Sequence, residues 1–352
     1  MRILHVISTL KMGGAEHLMV DLLPALRDFG NDVELLLING EDTPYNRQLK
    51  EHGILIHSLQ VNGRIYSPTH IYKARKFLKS YDIIHTHTFP CQIMMALAKA
   101  TSSSKCHLVT TEHSTSNHRR NKIYLKPIDK WMYRQYDKII CITEKSKECL
   151  VNYLGVETNV MTINNGIDIK KFYNPIKQEL PHRITLTMVA SMRDAKDQDT
   201  VIKAMMLLDD KYRLQLVGDG YRREELKSLV RNLNLNNRVV FMGTQSDIPS
   251  ILRESDIIIS SSHWEGFGLA AVEGMAAGKP IIASDVPGLG DIVRGYGVVF
   301  PVGDFKQLAL AIKRLSEDMN YYQDIANCCQ KRAHQFDIRI MAQKYNELYK
   351  TL

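Results

Sequence analysis

Two carboxylates, Glu265 and Glu273, stand in the run HWEGFGLAAVEGMAAGKP (263–280), which is otherwise built largely of small and apolar residues. An ionised carboxylate accepts two hydrogen bonds at once, so such a pair suits hydroxyl donors such as the diols of ribose or a hexose. The preceding DIIISSS reads as a strand and a polar turn, and the chain beyond Gly268 as a helix. That puts Glu265 on a loop and Glu273 about one turn inside the helix, able to face the same site. Gly266 and Gly268 free backbone amides at the helix start, where the dipole attracts phosphate. Glu273 taken alone is equally explained as a first-turn carboxylate favoured by that dipole.

Two further stretches have the composition of anion sites. In SMRDAKDQDT (191–200), Arg193 and Lys196 lie where a loop gives way to a helix, and paired cations beside helix amides would hold a diphosphate. In STLKMGGAEHL (8–18), Gly13 and Gly14 lead into a helix whose amides could meet an anion, with Glu16 in its first turn. A plain strand-to-helix turn explains the second stretch equally well. It is not the dinucleotide fingerprint, because the third glycine is missing. His85 and His87 alternate along a strand-like run and so should point to opposite faces, which argues against joint metal ligation. No Asp-any-Asp run supplies a metal site either.

The elements that must position these groups recur in two series. Strand-like runs at 2–8, 32–38, 54–59, 82–87, 107–112 and 138–143 alternate with helical stretches such as 14–28, 69–79, 91–100 and 144–154. After a turn-rich segment at 164–175 that reads as a linker, strand-like runs follow at 183–190, 213–219, 238–243, 256–261, 280–284 and 297–300, again with helices between. Such alternation predicts parallel sheets with helices on both faces. The chain is therefore expected to be α/β, with two doubly wound domains at 1–165 and 170–337 facing a central cleft. A last helix at 338–352, with Ile340, Met341, Tyr345, Leu348 and Tyr349 on one face, is expected to pack back on the first domain. Ligands of such sheets collect at the carboxyl ends of strands, where all the stretches above lie.

With 44% hydrophobic and 24% charged residues, the composition is that of a globular protein, and no segment is long and uncharged enough to span a bilayer. MRILHVIS passes straight into a strand without an export-type apolar stretch, and the six scattered cysteines lack paired spacing, so reduced thiols in a cytoplasm are expected. The net charge of +8 favours an anionic partner. Much of it gathers in 118–138, where Arg119, Arg120, Lys122, Lys126, Lys130, Arg134 and Lys138 mix with Tyr124, Leu125, Trp131, Met132 and Tyr133. Surface-lying membrane helices have this mixture, and so does an ordinary solvated basic helix. Elsewhere the charge is diffuse, with no reading helix or stacking motif for nucleic acid.

The run EGFGLAAVEGMAAGKPIIASDVPGLGDIV resembles the signature of the retaining nucleotide-sugar glycosyltransferases of the GT-B fold, family 4 and group 1, of the bacterial capsule and polysaccharide type. MGGAE, TEHS (111–114), NNGID (164–168), ASMRDAKDQDT (190–200) and LVGDG (216–220) extend the likeness over nearly the whole chain. The resemblance implies that Glu273 binds the ribose hydroxyls and Glu265 the donor sugar. Arg193 and Lys196 would grip the diphosphate, assisted by amides near Phe267, Gly268 and Leu269 and by the turn at Gly13 and Gly14. The base would lie near Gly218, Asp219 and the turn at 242–248. His113 would reach the hexose or its phosphate, and Glu16 and His113 would lie near the acceptor; without the family, a histidine at a strand end reads as a structural one. The implied activity is transfer of a hexose from a UDP- or GDP-sugar to a saccharide or lipid-linked acceptor, with retention and without a metal or other cofactor. A nucleotide-sugar epimerase or a glycoside phosphorylase would use the same paired domains.

Overall fold

The computed structural model describes residues 1–352 apart from residues 12, 62, 115–121 and 156. The chain divides into two compact units, residues 1–166 with 338–352 and residues 167–337. In the first unit, β1 (Arg2–Ile7), β2 (Asp32–Asn39), β3 (Leu55–Gln60), β4 (Ile83–Thr86), β5 (His107–Glu112), β6 (Lys138–Cys141) and β7 (Val160–Thr162) form one parallel sheet ordered β3-β2-β1-β4-β5-β6-β7. Alternate residues feed opposite layers. Ile3, Ile7, Leu35 and Leu37 pack with the helices Gly14–Arg27 and Ile338–Lys350, while Leu4, Val6, Leu36 and Ile38 pack with Phe89–Ala100 and Lys126–Tyr133. A strand buried on both faces must be apolar at nearly every position, and that is why these runs read as continuous hydrophobic stretches.

The helix Ile338–Lys350 lies on this first unit through Met341, Ala342, Tyr345, Leu348 and Tyr349, and Asn31 Nδ2 donates to Asn346 Oδ1 at 2.9 Å. Each large apolar side chain so buried contributes roughly 1.5–3 kcal/mol. β7 had no counterpart among the expected strands, because three residues bounded by turn-formers carry too little period to register. The segment expected to be a linker also has structure. Asp168 caps the short helix Ile169–Phe172 and accepts from Lys170 N at 3.2 Å, with Ile169 and Phe172 buried.

In the second unit, β8 (Ile184–Val189), β9 (Tyr212–Val217), β10 (Val239–Gly243), β11 (Ile257–Ser260), β12 (Ile281–Ser284) and β13 (Val298–Phe300) form a parallel sheet ordered β10-β9-β8-β11-β12-β13. Its core joins Leu186, Leu214, Leu216, Ile257, Ile259 and Ile282 to the helices Gln198–Ala204, Phe305–Glu317 and Met319–Ala333. In both sheets the strand order reverses beside the first strand, between β1 and β4 and between β8 and β11. Open α/β sheets bind ligands outside the carboxyl ends of the strands at such a reversal. The loops that emerge there hold the residues singled out above.

Candidate active site

Within the second unit, the loop after β8 carries Arg193 and Lys196, and the loop after β11 leads to Glu265 and Glu273. Lys196 Nζ forms an ion pair with Glu265 Oε2, both side chains being largely buried, and Ser262 Oγ lies 3.4 Å from the same oxygen. Arg193 is exposed, and among the described residues its guanidinium has no hydrogen-bond or ion-pair partner. Glu273 is buried on the helix Leu269–Ala276. Gly274, one residue on, approaches Ile258 so closely that a Cβ would lie 2.8 Å from its Cγ1, so the small residues do let this helix lie close on the sheet.

The helix opens at Gly268, whose φ of +94° lies in the left-handed region that glycine alone adopts freely. A Cβ there would also lie 2.8 Å from Leu289 Cδ1. Phe267 turns its ring inward, edge-on to Phe336 with centroids 5.3 Å apart, so only its backbone is left for a ligand. Leu269 is the first helical residue.

The loop holding Arg193 and Lys196 is braced from three sides. Ser261 Oγ sits 2.8 Å from the Asp197 carbonyl oxygen and 3.0 Å from that of Lys196, and His263 N donates to Ala195 O at 2.9 Å. Arg222, nearly buried, donates to both Asp199 oxygens at 2.6 and 3.1 Å and lies 3.1 Å from Asp194 Oδ1. Gly218 (φ +124°) packs so tightly on the Ala190 carbonyl that any Cβ would collide with it. Asp197 is one of only two non-glycine residues with positive φ among those described, at +51°, and its carboxylate caps the next helix by accepting from Thr200 N at 3.3 Å. Asp219 is exposed, accepts from Gly220 N at 2.7 Å and pairs with Arg223 at 2.8 Å, and these contacts hold its pKa below the usual carboxylate value.

In the first unit, Gly13 and Gly14 are both exposed at the start of a helix. Gly13 is the extended N-cap of the helix Gly14–Arg27, and a Cβ on it would strike Glu16 Oε2, because that carboxylate folds back over the helix start. Burial raises the Glu16 pKa. His113 follows β5 directly and is partly exposed, next to Glu112, which accepts from Gln92 Nε2 and Tyr133 Oη at 2.6 Å each.

The expectation for His85 and His87 is corrected by the structure. β4 ends at Thr86, the alternation stops with it, and the two rings stack with centroids 4.4 Å apart. With His5 from β1 they form a cluster in which one nitrogen of each lies within 4.8 Å of the others. The bonds already made there are those of a hydrogen-bonded group. Both nitrogens of His85 are engaged, by Tyr349 Oη at 2.5 Å and Thr111 Oγ1 at 2.7 Å, and His5 Nδ1 and His87 Nε2 bond to each other at 2.8 Å.

Of the basic segment 118–138, Arg119 and Arg120 lie outside the described residues. The helix Lys126–Tyr133 buries Asp129, Met132 and Tyr133, and Tyr124, Ile128 and Trp131 are exposed, as are Lys122 and Arg134. No helix among the described residues is long and apolar enough to cross a membrane.

Sequence reasoning missed Arg222, Ser261, Asp197 and the partners of His113. His5 did carry a signal, a polar residue inside the otherwise apolar run ILHVI (3–7); the others have none that does not depend on knowing which loops meet.

Two Rossmann-like units, each with a parallel sheet, and cations and carboxylates at the strand ends of the second, are the make-up of a GT-B sugar-transferring enzyme. Residues 12–171 match the family described as Glycosyltransferase Family 4 and residues 170–332 that described as Glycosyl transferases group 1. The chain belongs to this glycosyltransferase family and is an enzyme of that class. It is 28% identical to an Escherichia coli UDP-Gal:alpha-D-GlcNAc-diphosphoundecaprenol alpha-1,3-galactosyltransferase over 79% of this chain and 77% of that one. It is 23% identical to the N-acetyl-alpha-D-glucosaminyl L-malate synthase of Bacillus anthracis over 96% and 94%. Among solved structures, Anabaena HepE in complex with UDP and glucose shares the fold with a TM-score of 0.88 at 23% identity, covering 100% of both chains.

Proposed function

We propose that the enzyme transfers a hexose from a UDP- or GDP-sugar to an acceptor hydroxyl, with retention at the anomeric carbon, in synthesis of a bacterial cell-surface polysaccharide or glycolipid. The second unit binds the donor and the first the acceptor. The observation that carries this reading is the grouping, in one unit, of Arg193, unpartnered among the described residues, the Lys196–Glu265 ion pair and buried Glu273, on the loops after two neighbouring strands and the helix that follows the second. Arg193 and Lys196 neutralise the diphosphate, the amides at Gly268 and Leu269 assist, Glu273 takes the ribose hydroxyls and Glu265 the sugar. Gly218 and Asp219 lie beside the base. The chemical demand is to stabilise the departing diphosphate, which fixed cations and dipoles meet without a metal and without a protein nucleophile. A uridine donor is supported by the E. coli relative, which is named for transfer from UDP-Gal.

The outward face of Lys126–Tyr133, with Ile128 and Trp131 among lysines, rests on an anionic membrane and brings a lipid-linked acceptor within reach. Liposome sedimentation checks this: equal binding to neutral and anionic vesicles would remove the electrostatic argument. For the reaction, a panel of UDP-, GDP- and ADP-sugars is screened by thermal shift, since a ligand of the native state raises the midpoint. The product formed with the best donor and excess chelator is then identified by NMR. A new glycoside of retained configuration is expected; a free epimer, a sugar phosphate or inactivity reversed by magnesium would refute the proposal.

A further inference from the structure

His113 stands at the outer end of a file of three imidazoles. Its Nε2 is 3.2 Å from His87 Nδ1, and His87 Nε2 is 2.8 Å from His5 Nδ1. His5 and His87 are fully buried, and His5 Nε2, at the inner end, has no hydrogen-bond partner. At the outer end, His113 Nδ1 is likewise without a partner among the described residues. His85 is outside the file, because Tyr349 and Thr111 occupy both its nitrogens.

Each neutral imidazole has one donor and one acceptor, so the two bonds of the file must run in the same direction. Burial keeps all three rings neutral, with His5 pushed down to about 3, His113 to about 4 and His87 well below its ordinary value. If the file donated inward, from His113 to His87 to His5, a proton would be left on His5 Nε2 in the core with no acceptor. Orphaned buried N–H groups are rare in folded proteins, while acceptors left short of a donor are less so. The other direction leaves only a bare lone pair there.

We infer that the file donates outward, from His5 through His87 to His113, so that His113 offers an Nδ1–H donor at the end of β5 to an oxygen of the sugar substrate, with His5 and His87 as positioning residues. The polarity follows from the hydrogen-bond arrangement alone; its use on a hexose hydroxyl or phosphate oxygen rests on the transferase reading above. Sequence spacing carries none of this, since the partners are 82 and 26 residues apart.

The test is a long-range proton–nitrogen correlation spectrum of the full chain with isotope-labelled histidine near neutral pH, assigned with His87→Gln and His113→Gln. His5, His87 and His113 are expected with Nδ1 protonated and Nε2 bare, the minor tautomer of imidazole in water. A proton on Nε2 of His87 or His113 would overturn the inference, and so would a stoichiometric metal in the purified protein with metal-shifted nitrogens on these rings. His5→Phe fills the space and removes the inner donor, so the His113 tautomers should mix and the UDP-sugar Kd should rise roughly 2- to 10-fold, the range of one neutral hydrogen bond. His5→Gln can still donate to His87 and should restore both readouts. Equal loss in the two variants would mean that His5 acts by packing alone. If the wild-type chain bound no nucleotide sugar, the transferase reading would fail while the tautomers remained measurable.

Discussion

Mild acid should unfold one half of this enzyme before the other. His5, His85, His87 and His113 are held neutral in the first unit, chiefly by burial. The histidines of the second unit, His182, His263 and His334, are all exposed. For a base whose pKa is lowered by folding, the unfolded chain binds more protons, so stability rises with pH. It is complete above the unfolded value of 6.5 and is lost as pH falls toward the folded values, about 3 for His5 and about 4 for His113. Between pH 6.5 and pH 5, His5 alone costs about 2 kcal/mol, at 1.36 kcal/mol per pH unit. His113, partly exposed, adds about 1 kcal/mol after allowance for solvent screening, and His85 and His87 act in the same direction. A loss of at least about 3 kcal/mol is large against a domain stability of roughly 5–15 kcal/mol. Hydrogen exchange followed by mass spectrometry separates the units: peptides from 1–166 and 338–352 should lose protection near pH 5 while those from 167–337 keep it. His5→Phe should flatten the pH dependence by one proton. Parallel loss in both sets of peptides, or earlier loss in 167–337, would refute the argument.

Glu265→Gln frees Lys196 from its ion pair and removes a negative charge from the diphosphate site, so UDP should bind about fivefold tighter, while transfer falls at least about a hundredfold because the carboxylate that holds the sugar is gone. Titration calorimetry and a transfer assay check this, and UDP binding no tighter than wild type would sink it. Arg193→Ala should weaken UDP binding about 10- to 100-fold, the scale of a charged hydrogen bond, without moving the thermal midpoint, because the Arg193 guanidinium bonds to nothing among the described residues. A lower midpoint would show the arginine to be structural. Asp197→Ala keeps the left-handed backbone and loses the cap, and should cost the second unit about 2 kcal/mol in urea unfolding, whereas Asp197→Gly relieves the backbone and should cost less than about 1 kcal/mol. Equal loss in the two variants would show that the carboxylate, not the backbone, decides.

The first strand of each unit, the helix at 14–27, the start of the helix at 269–276 and the position of Glu273 inside it were all legible, because each rests on a local period and a nearby breaker. Where the local signal was short, reading failed. β7 has three residues, and the alternation that should have split His85 from His87 ends one residue before His87. Spacing also does not reveal that the Glu16 carboxylate folds back toward Gly13.

By itself, the order of residues determined which side chains are buried and which stretches fall just beyond strand ends, since burial on two faces demands unbroken apolar runs and loops collect polar ones. It could not determine which strand ends are neighbours. β1 lies between β2 and β4, and β8 between β9 and β11, through packing that spans the whole of each unit. That order alone brings Lys196 to Glu265 and His5 to His87, groups 69 and 82 residues apart. Their chemistry depends on contact distances of a few ångströms, and those belong to the folded sheet.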